Sequence, residues 1–161
     1  MLQKVSFTLN GEVITAEVAH DRMLIDYLRE DLRLTGAKVA CREGECGACT
    51  VLLDGKPVTS CLVPVCSVES RNVTTIEGLR EDADAKLMME ALARFNASQC
   101  GYCTPGMVMV GVSLIREKIP AEATIVREKL EGNLCRCTGY QKIVDAILYC
   151  MKYIYNNIWG G

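Results

Sequence analysis

Ten cysteines stand in a chain of 161 residues, and eight of them fall into two spaced groups. The first is Cys41-Arg-Glu-Gly-Glu-Cys46-Gly-Ala-Cys49, a C-x4-C-x2-C run, with Cys61 after eleven intervening residues. Three thiolates on one loop and a fourth from a nearby strand are the plant-type arrangement for a [2Fe–2S] cluster. Such a cluster on four thiolates carries net negative charge, so backbone N–H groups have to turn toward its sulfurs. A loop does this where it can adopt positive φ, and Gly44 and Gly47 lie between the ligands. Ala48 is small enough not to crowd the cluster. A structural zinc site is the rival reading, but zinc knuckles pair two short C-x2-C units across a longer spacer, which this run does not do.

The second group is Cys100-Gly-Tyr-Cys103 and Cys135-Arg-Cys137, separated by 31 residues. Thr104-Pro105-Gly106 follows Cys103, Thr138-Gly139-Tyr140 follows Cys137, and each leads into an apolar helical pattern. The threonines read as N-caps and Pro105 as a first helical residue. Four sulfurs at the N-terminal ends of two helices would meet dipoles and free N–H groups that favour an anion. On spacing alone a four-cysteine zinc site stays open here. A second redox centre beside the first would make an electron wire.

The rest of the composition narrows the chemistry. The single histidine, His20, is far from every cysteine in sequence, which excludes a Rieske centre and argues against histidine acid/base catalysis. Cys66 and Cys150 match neither group and read as buried, inert thiols. A net charge of −2 and a pI near 5.5 argue against nucleic acid as a partner. No apolar run approaches the roughly 18 residues that a membrane span needs. The N-terminus alternates apolar and polar residues and reads as strand rather than signal peptide, so a cytoplasmic protein with reduced thiols is expected, not a disulfide framework. Mean hydropathy is +0.14, high for a short soluble chain, so part of the apolar surface is expected to be covered by another protein.

Two textures meet near residues 77–85. Before them, Val5, Phe7 and Leu9 alternate, Asn10-Gly11 predicts a type I′ turn, and Val13 to Val18 returns. Met23, Leu24, Tyr27, Leu28 and Leu32 predict a helix. Thr50 to Leu53, a turn at Asp54-Gly55, Val58 to Leu62 and Val73 to Ile76 complete a ββαβββ order. After Gly78 helices are predicted over Ala85 to Phe95, Pro105 to Arg116, Thr124 to Leu130 and Thr138 to about Tyr155, a small bundle. The Met88-Met89 and Met107/Met109 pairs read as core filler. The aromatic tail from Tyr149 to Trp159 reads equally as a helix end packed on its own bundle or as a docking segment. The expected class is α+β, with domains over 1–77 and 78–161.

Gly44-Glu-Cys-Gly-Ala-Cys-Thr50, Gln99-Cys-Gly-Tyr-Cys-Thr-Pro-Gly-Met107 and Gly132-Asn-Leu-Cys-Arg-Cys-Thr-Gly-Tyr140 resemble the signatures of the xanthine oxidase family. The likeness is to its small iron–sulfur subunit and runs from about residue 3 to residue 150, with all eight ligand positions filled. It implies a β-grasp ferredoxin-like [2Fe–2S] domain followed by a four-helix-bundle [2Fe–2S] domain, and no catalytic residue on this chain. It further implies a large molybdopterin-binding partner and a medium FAD-binding partner, in a dimer of heterotrimers, with electrons passing between molybdenum and flavin. Gln99 and Cys137 match positions that the family places beside the pterin. Arg42, Glu43 and Glu45 read as a solvated loop, and Arg136 as a cation near cluster or pterin phosphate. A free ferredoxin-like carrier and a zinc-stabilised interaction module are the rival functions.

Overall fold

The computed structural model describes residues 2–159, with side chains through residue 157. Alternating residues form β1 (Leu2–Leu9) and β2 (Glu12–Ala19), paired antiparallel from Leu9↔Glu12 to Leu2↔Ala19. Asn10 and Gly11 between them have φ of 51° and 88°, the two positive values a type I′ turn requires. β3 (Thr50–Leu53) and β4 (Lys56–Thr59) form a second hairpin across Asp54 and Gly55. β5 (Asn72–Thr74) lies between the two hairpins, parallel to β1 and antiparallel to β3, giving the order β2-β1-β5-β3-β4. The strand expected over Val73 to Ile76 is therefore the short centre of the sheet, with Val73 fully buried.

Two elements differ from expectation. The helix expected from Met23 to Leu32 is α-helical only over α1 (Leu24–Asp26) and continues as a π turn over Tyr27–Asp31, closed by Leu32 N–H on the Tyr27 carbonyl at 3.1 Å. Leu24, Ile25, Tyr27 and Leu28 are all buried in the core under the sheet. The strand expected over Val58 to Leu62 ends at Thr59. There the Ser60 hydroxyl donates to the Cys49 carbonyl at 2.6 Å and folds the chain into a 3-10 turn over Ser60–Leu62. Cys61 thus sits on that turn, not on a strand.

The helical half comprises α2 (Ala83–Arg94), α3 (Thr104–Arg116), α4 (Ala123–Lys129) and α5 (Gln141–Trp159). α3 is buried from Gly106 through Ile115, because α2 and α5 cover one side and β3 and β4 the other. Leu52 of β3 joins the helical core, while Leu53 and Val51 belong to the core under the sheet. Met88, Met107 and Met109 are core residues as expected, but Met89 is exposed, one step off the buried stripe of α2. Among the described residues no helix is long and apolar enough to cross a membrane.

Capping sets where α2 starts. Asp82 Oδ1 accepts from Ala85 N–H at 3.0 Å, and its other oxygen receives Arg116 of α3. Asp82→Ala is expected to lose about 1–2 kcal/mol, the usual range for removing such a cap, read as a lowered midpoint in urea unfolding. An unchanged midpoint would show that the cap is replaced by water.

The tail folds back on its own bundle on one face. Cys150, Met151 and Ile154 are buried, and the Tyr155 hydroxyl donates to the Ile119 carbonyl at 2.8 Å. Tyr149 stacks between Phe95 and Tyr153, with the Arg94 guanidinium 5.1 Å from its ring centre. The part of the tail expectation that rests on the side chains of Ile158 and Trp159 lies outside the described residues, as do positions 160 and 161 of the second expected domain.

Candidate metal centres

The first cysteine group lies on the loop between the π turn and β3. Arg42, Gly44 and Gly47 have φ of 59°, 79° and 66°, so the loop coils with its N–H groups turned inward. Glu43 N–H reaches the Cys41 sulfur at 3.4 Å, and the N–H groups of Cys46 and Glu45 also face it. These donors, Glu43 foremost, pull the Cys41 thiol down to about 7. Cys49 and Cys61 are buried facing each other, and burial pushes the Cys49 thiol up to about 11. The loop's charges are not all solvated, since both guanidinium nitrogens of Arg42 bond Asp26, at 2.9 and 2.8 Å.

That ion pair gives a pH prediction. The Asp26 carboxyl is held below its ordinary range first by the Arg42 hydrogen bonds, against a smaller opposing effect of burial. A depressed folded-state value contributes stability above the unfolded carboxylate value and loses it as pH falls through the folded one. Arg42→Gln is therefore expected to move the Asp26 titration upward, seen by NMR, and to shift the onset of acid unfolding toward higher pH. An unmoved Asp26 titration would contradict the pair's role.

The second group gathers where the loop after α2 meets the loop before α5. Cys100 and Cys137 sulfurs are 3.6 Å apart, and Cys103 faces Cys135. Burial pushes the Cys103 thiol up to about 12. Burial also opposes ionisation at Cys135, but the Thr138 hydroxyl, 3.1 Å from the sulfur, and the N–H groups of Cys137 and Thr138 together carry it below the ordinary value. A cavity of about 140 Å³ is lined by these four cysteines with Ala48, Tyr102, Leu134 and Arg136. Arg136 is exposed at its rim.

The threonine caps are not as expected. Thr104 is the first residue of α3 with Cys103 at the N-cap position, and its hydroxyl meets Ser98 at 2.9 Å. Thr138 accepts from Tyr140 N–H at 3.2 Å while serving Cys135, so it orders the ligand loop and leaves α5 to begin at Gln141. Cys66 is half-buried rather than buried, its thiol toward the His20 carbonyl at 3.6 Å. Cys150 is fully buried, as expected, in the helical core.

The sulfurs meet in twos: Cys41 with Cys46, Cys49 with Cys61, Cys100 with Cys137, Cys103 with Cys135. Among the described residues no three His, Cys, Asp or Glu side chains group as ligands of one ion. Paired thiols aimed at by N–H donors suit two irons sharing four thiolates, and the buried pairs need a bound cation to ionise. The residues fit iron–sulfur clusters, which supply one-electron redox chemistry when bound.

Gln99 and Cys137, the two residues expected beside the pterin, are neighbours: Gln99 Nε2 donates to the Cys137 carbonyl at 3.2 Å, and both residues are exposed.

Comparisons agree in both halves. Residues 7–88 match the model of the 2Fe-2S iron-sulfur cluster binding domain, and residues 75–148 match that of the [2Fe-2S] binding domain. The nicotinate dehydrogenase small FeS subunit of Eubacterium barkeri is 39% identical over 92% of this chain and 94% of its own length. The nicotine 6-hydroxylase small subunit of Paenarthrobacter nicotinovorans is 43% identical over 90% of this chain and 87% of its own. A chain of quinoline 2-oxidoreductase from Pseudomonas putida 86 superposes with a TM-score of 0.87 at 38% identity, over 98% of each chain. The chain belongs to the small iron–sulfur subunits of the molybdenum hydroxylases.

The iron–sulfur subunit is thus an electron-transfer chain with two [2Fe–2S] clusters, and substrate conversion belongs to other subunits. Its two cysteine sets are also joined by residues that motif spacing did not single out. Leu134 N–H donates to the Cys46 carbonyl at 2.9 Å, and the Tyr102 hydroxyl donates to the Val39 carbonyl at 2.5 Å. Asn133 reaches Gly47 and Thr50. Asparagine and leucine beside Cys135 were visible in the sequence only as part of a motif, since nothing in spacing says that they touch a loop 86 residues away.

Proposed function

We propose that Cys41, Cys46, Cys49 and Cys61 hold one [2Fe–2S] cluster and Cys100, Cys103, Cys135 and Cys137 the other, in domains over 1–77 and 78–161. The subunit then carries electrons between a molybdopterin centre on a large subunit and FAD on a medium subunit, in a cytoplasmic dimer of heterotrimers. What supports this reading is the placement of the two sets. Cys100 and Cys137 reach the surface beside exposed Gln99, Cys41 opens onto the surface at the ferredoxin loop, and Cys46 and Leu134 meet between them. Gln99 orients the Cys137 backbone toward the pterin. The N–H groups around Cys41 and Cys135 hold their sulfurs as acceptors of negative charge, and the exposed hydrophobics Leu62, Tyr102 and Leu134 lie under the partner subunits. A heterocycle or an aldehyde is the substrate class, on the strength of the nicotinate, nicotine, quinoline and aldehyde enzymes among its relatives.

The test is purification of the native complex, followed by anaerobic addition of a panel of N-heteroaromatics and aldehydes. Molybdenum and flavin should accompany the chain, and a heteroaromatic or an aldehyde should bleach the cluster absorbance. A chain that purifies alone, free of molybdenum and flavin, is the free carrier and contradicts the proposal.

A further inference from the structure

Asn133 is one of five buried polar residues among the described ones, with 6% of its surface exposed. Its amide Nδ2 donates to the Gly47 carbonyl at 3.1 Å and to the Thr50 hydroxyl at 3.2 Å, and the Thr50 hydroxyl itself donates to Gly47 O at 2.6 Å. Gly47 lies between ligand candidates Cys46 and Cys49, and Asn133 lies two residues before Cys135. The amide therefore ties the two cysteine loops together directly.

The surrounding backbone is built for this contact. A β-carbon on Gly47 would sit 2.2 Å from the Gly132 carbonyl oxygen and 2.6 Å from Asn133 Nδ2. One on Gly106, in the first turn of α3, would sit 2.5 Å from the Gly47 carbonyl and 3.0 Å from Asn133 Nδ2. Two glycines thus leave room for three backbone segments to meet around one amide. Next to it, Leu134 N–H donates to the Cys46 carbonyl at 2.9 Å, joining the residue before Cys135 to the cysteine itself in the other set.

We propose that Asn133 is a positioning residue for electron transfer. Its amide, braced by Thr50, holds Leu134 N–H on the Cys46 carbonyl and so sets the separation and electronic coupling of the two clusters. This rests on the ligand assignment proposed above. One electron crosses from the reduced centre to the oxidised one with no bond made or broken and no proton moved, so the bridge acts only through distance and contact. A side chain filling the seam without donating would leave the Gly47 carbonyl and the Thr50 hydroxyl bonded only within their own loop and let the two loops part.

The experiment uses the whole complex carrying Asn133→Ala, Thr50→Val or Thr50→Ser, with iron counted and EPR recorded on the fully reduced protein. The magnetic interaction between the two reduced clusters depends on their separation and is read apart from turnover. Asn133→Ala should keep both cluster signals but weaken and broaden the splitting between them, with a several-fold slower transfer after rapid reduction. Thr50→Val should move the same way by less, and Thr50→Ser, which keeps the hydroxyl, should match the parent. An unchanged splitting in Asn133→Ala with both clusters present overturns the proposal. Should Asn133→Ala not assemble, identical splitting in Thr50→Val and Thr50→Ser overturns it instead. A parent protein lacking two cluster signals would instead refute the ligand assignment, a distinct failure.

Discussion

Replacing Cys103 by serine is expected to abolish substrate-driven electron flow while leaving one cluster in place. The half-buried Cys103 thiol, pushed up to about 12, ionises only because metal takes the proton's place. A serine hydroxyl is a far weaker acid and a hard ligand, so it cannot replace the soft thiolate. Iron should fall from about four to about two per chain. The ferredoxin-type signal should persist, because Cys49 and Cys61 belong to the core under the sheet, whereas Cys103 and Cys135 pack against the helical core. Cys150→Ser is the control: its thiol lies in the helical core against the Leu87 carbonyl at 3.5 Å and faces no other cysteine. That variant should retain both clusters and turnover, with about 1 kcal/mol of lost stability from placing a hydroxyl in an apolar site. Survival of both clusters in Cys103→Ser would refute the assignment.

Gly47→Ala is expected to be the most damaging glycine-to-alanine change among the described residues, since it joins a positive φ to a clash with backbone. Gly47 has φ of 66°, where an L-residue is strained by about 1–2 kcal/mol. The added carbon would also meet the Gly132 carbonyl at 2.2 Å, and a backbone oxygen cannot rotate aside. Overpacking of this kind adds about 1–3 kcal/mol, for a total of about 2–5 kcal/mol. At about 2–4 °C per kcal/mol for a chain of this size, the midpoint should drop by roughly 10 °C. Gly55→Ala separates the two causes, because φ is 82° there but nothing lies within 4 Å of the added carbon. It should lose only about 1–2 kcal/mol from strain. Equal effects of the two substitutions in thermal unfolding would show that the seam is loose.

Both variants show what was readable in the sequence. The two hairpins followed from alternation and from Asn10-Gly11 and Asp54-Gly55, since turn chemistry is local. The four helices followed from their apolar stripes, to within four residues at each end. The π turn after α1 was not legible, because Leu24, Ile25, Tyr27 and Leu28 have the i, i+1, i+3, i+4 spacing that an α-helical stripe also has. Cys61 was expected on a strand, but the Ser60 hydroxyl on the Cys49 carbonyl ends that strand, a side-chain choice that propensity does not record. Spacing divides the eight cysteines into two groups, and the structure brings their sulfurs together in pairs within each group. The juxtaposition of the two groups was not legible, because Asn133, Gly47, Gly106 and Leu134 meet through tertiary packing across most of the chain. Gly47 was correctly singled out for its positive φ, yet its tighter constraint is the backbone that passes against it.

The central claim is that this chain is a wire of two [2Fe–2S] clusters, and its most direct test is low-temperature EPR of the dithionite-reduced protein with iron and zinc analysis. Two distinct [2Fe–2S] signals with about four irons per chain and no zinc are the predicted result. One signal, about two irons and one zinc would contradict it, making the helical site structural and leaving no path through the molecule.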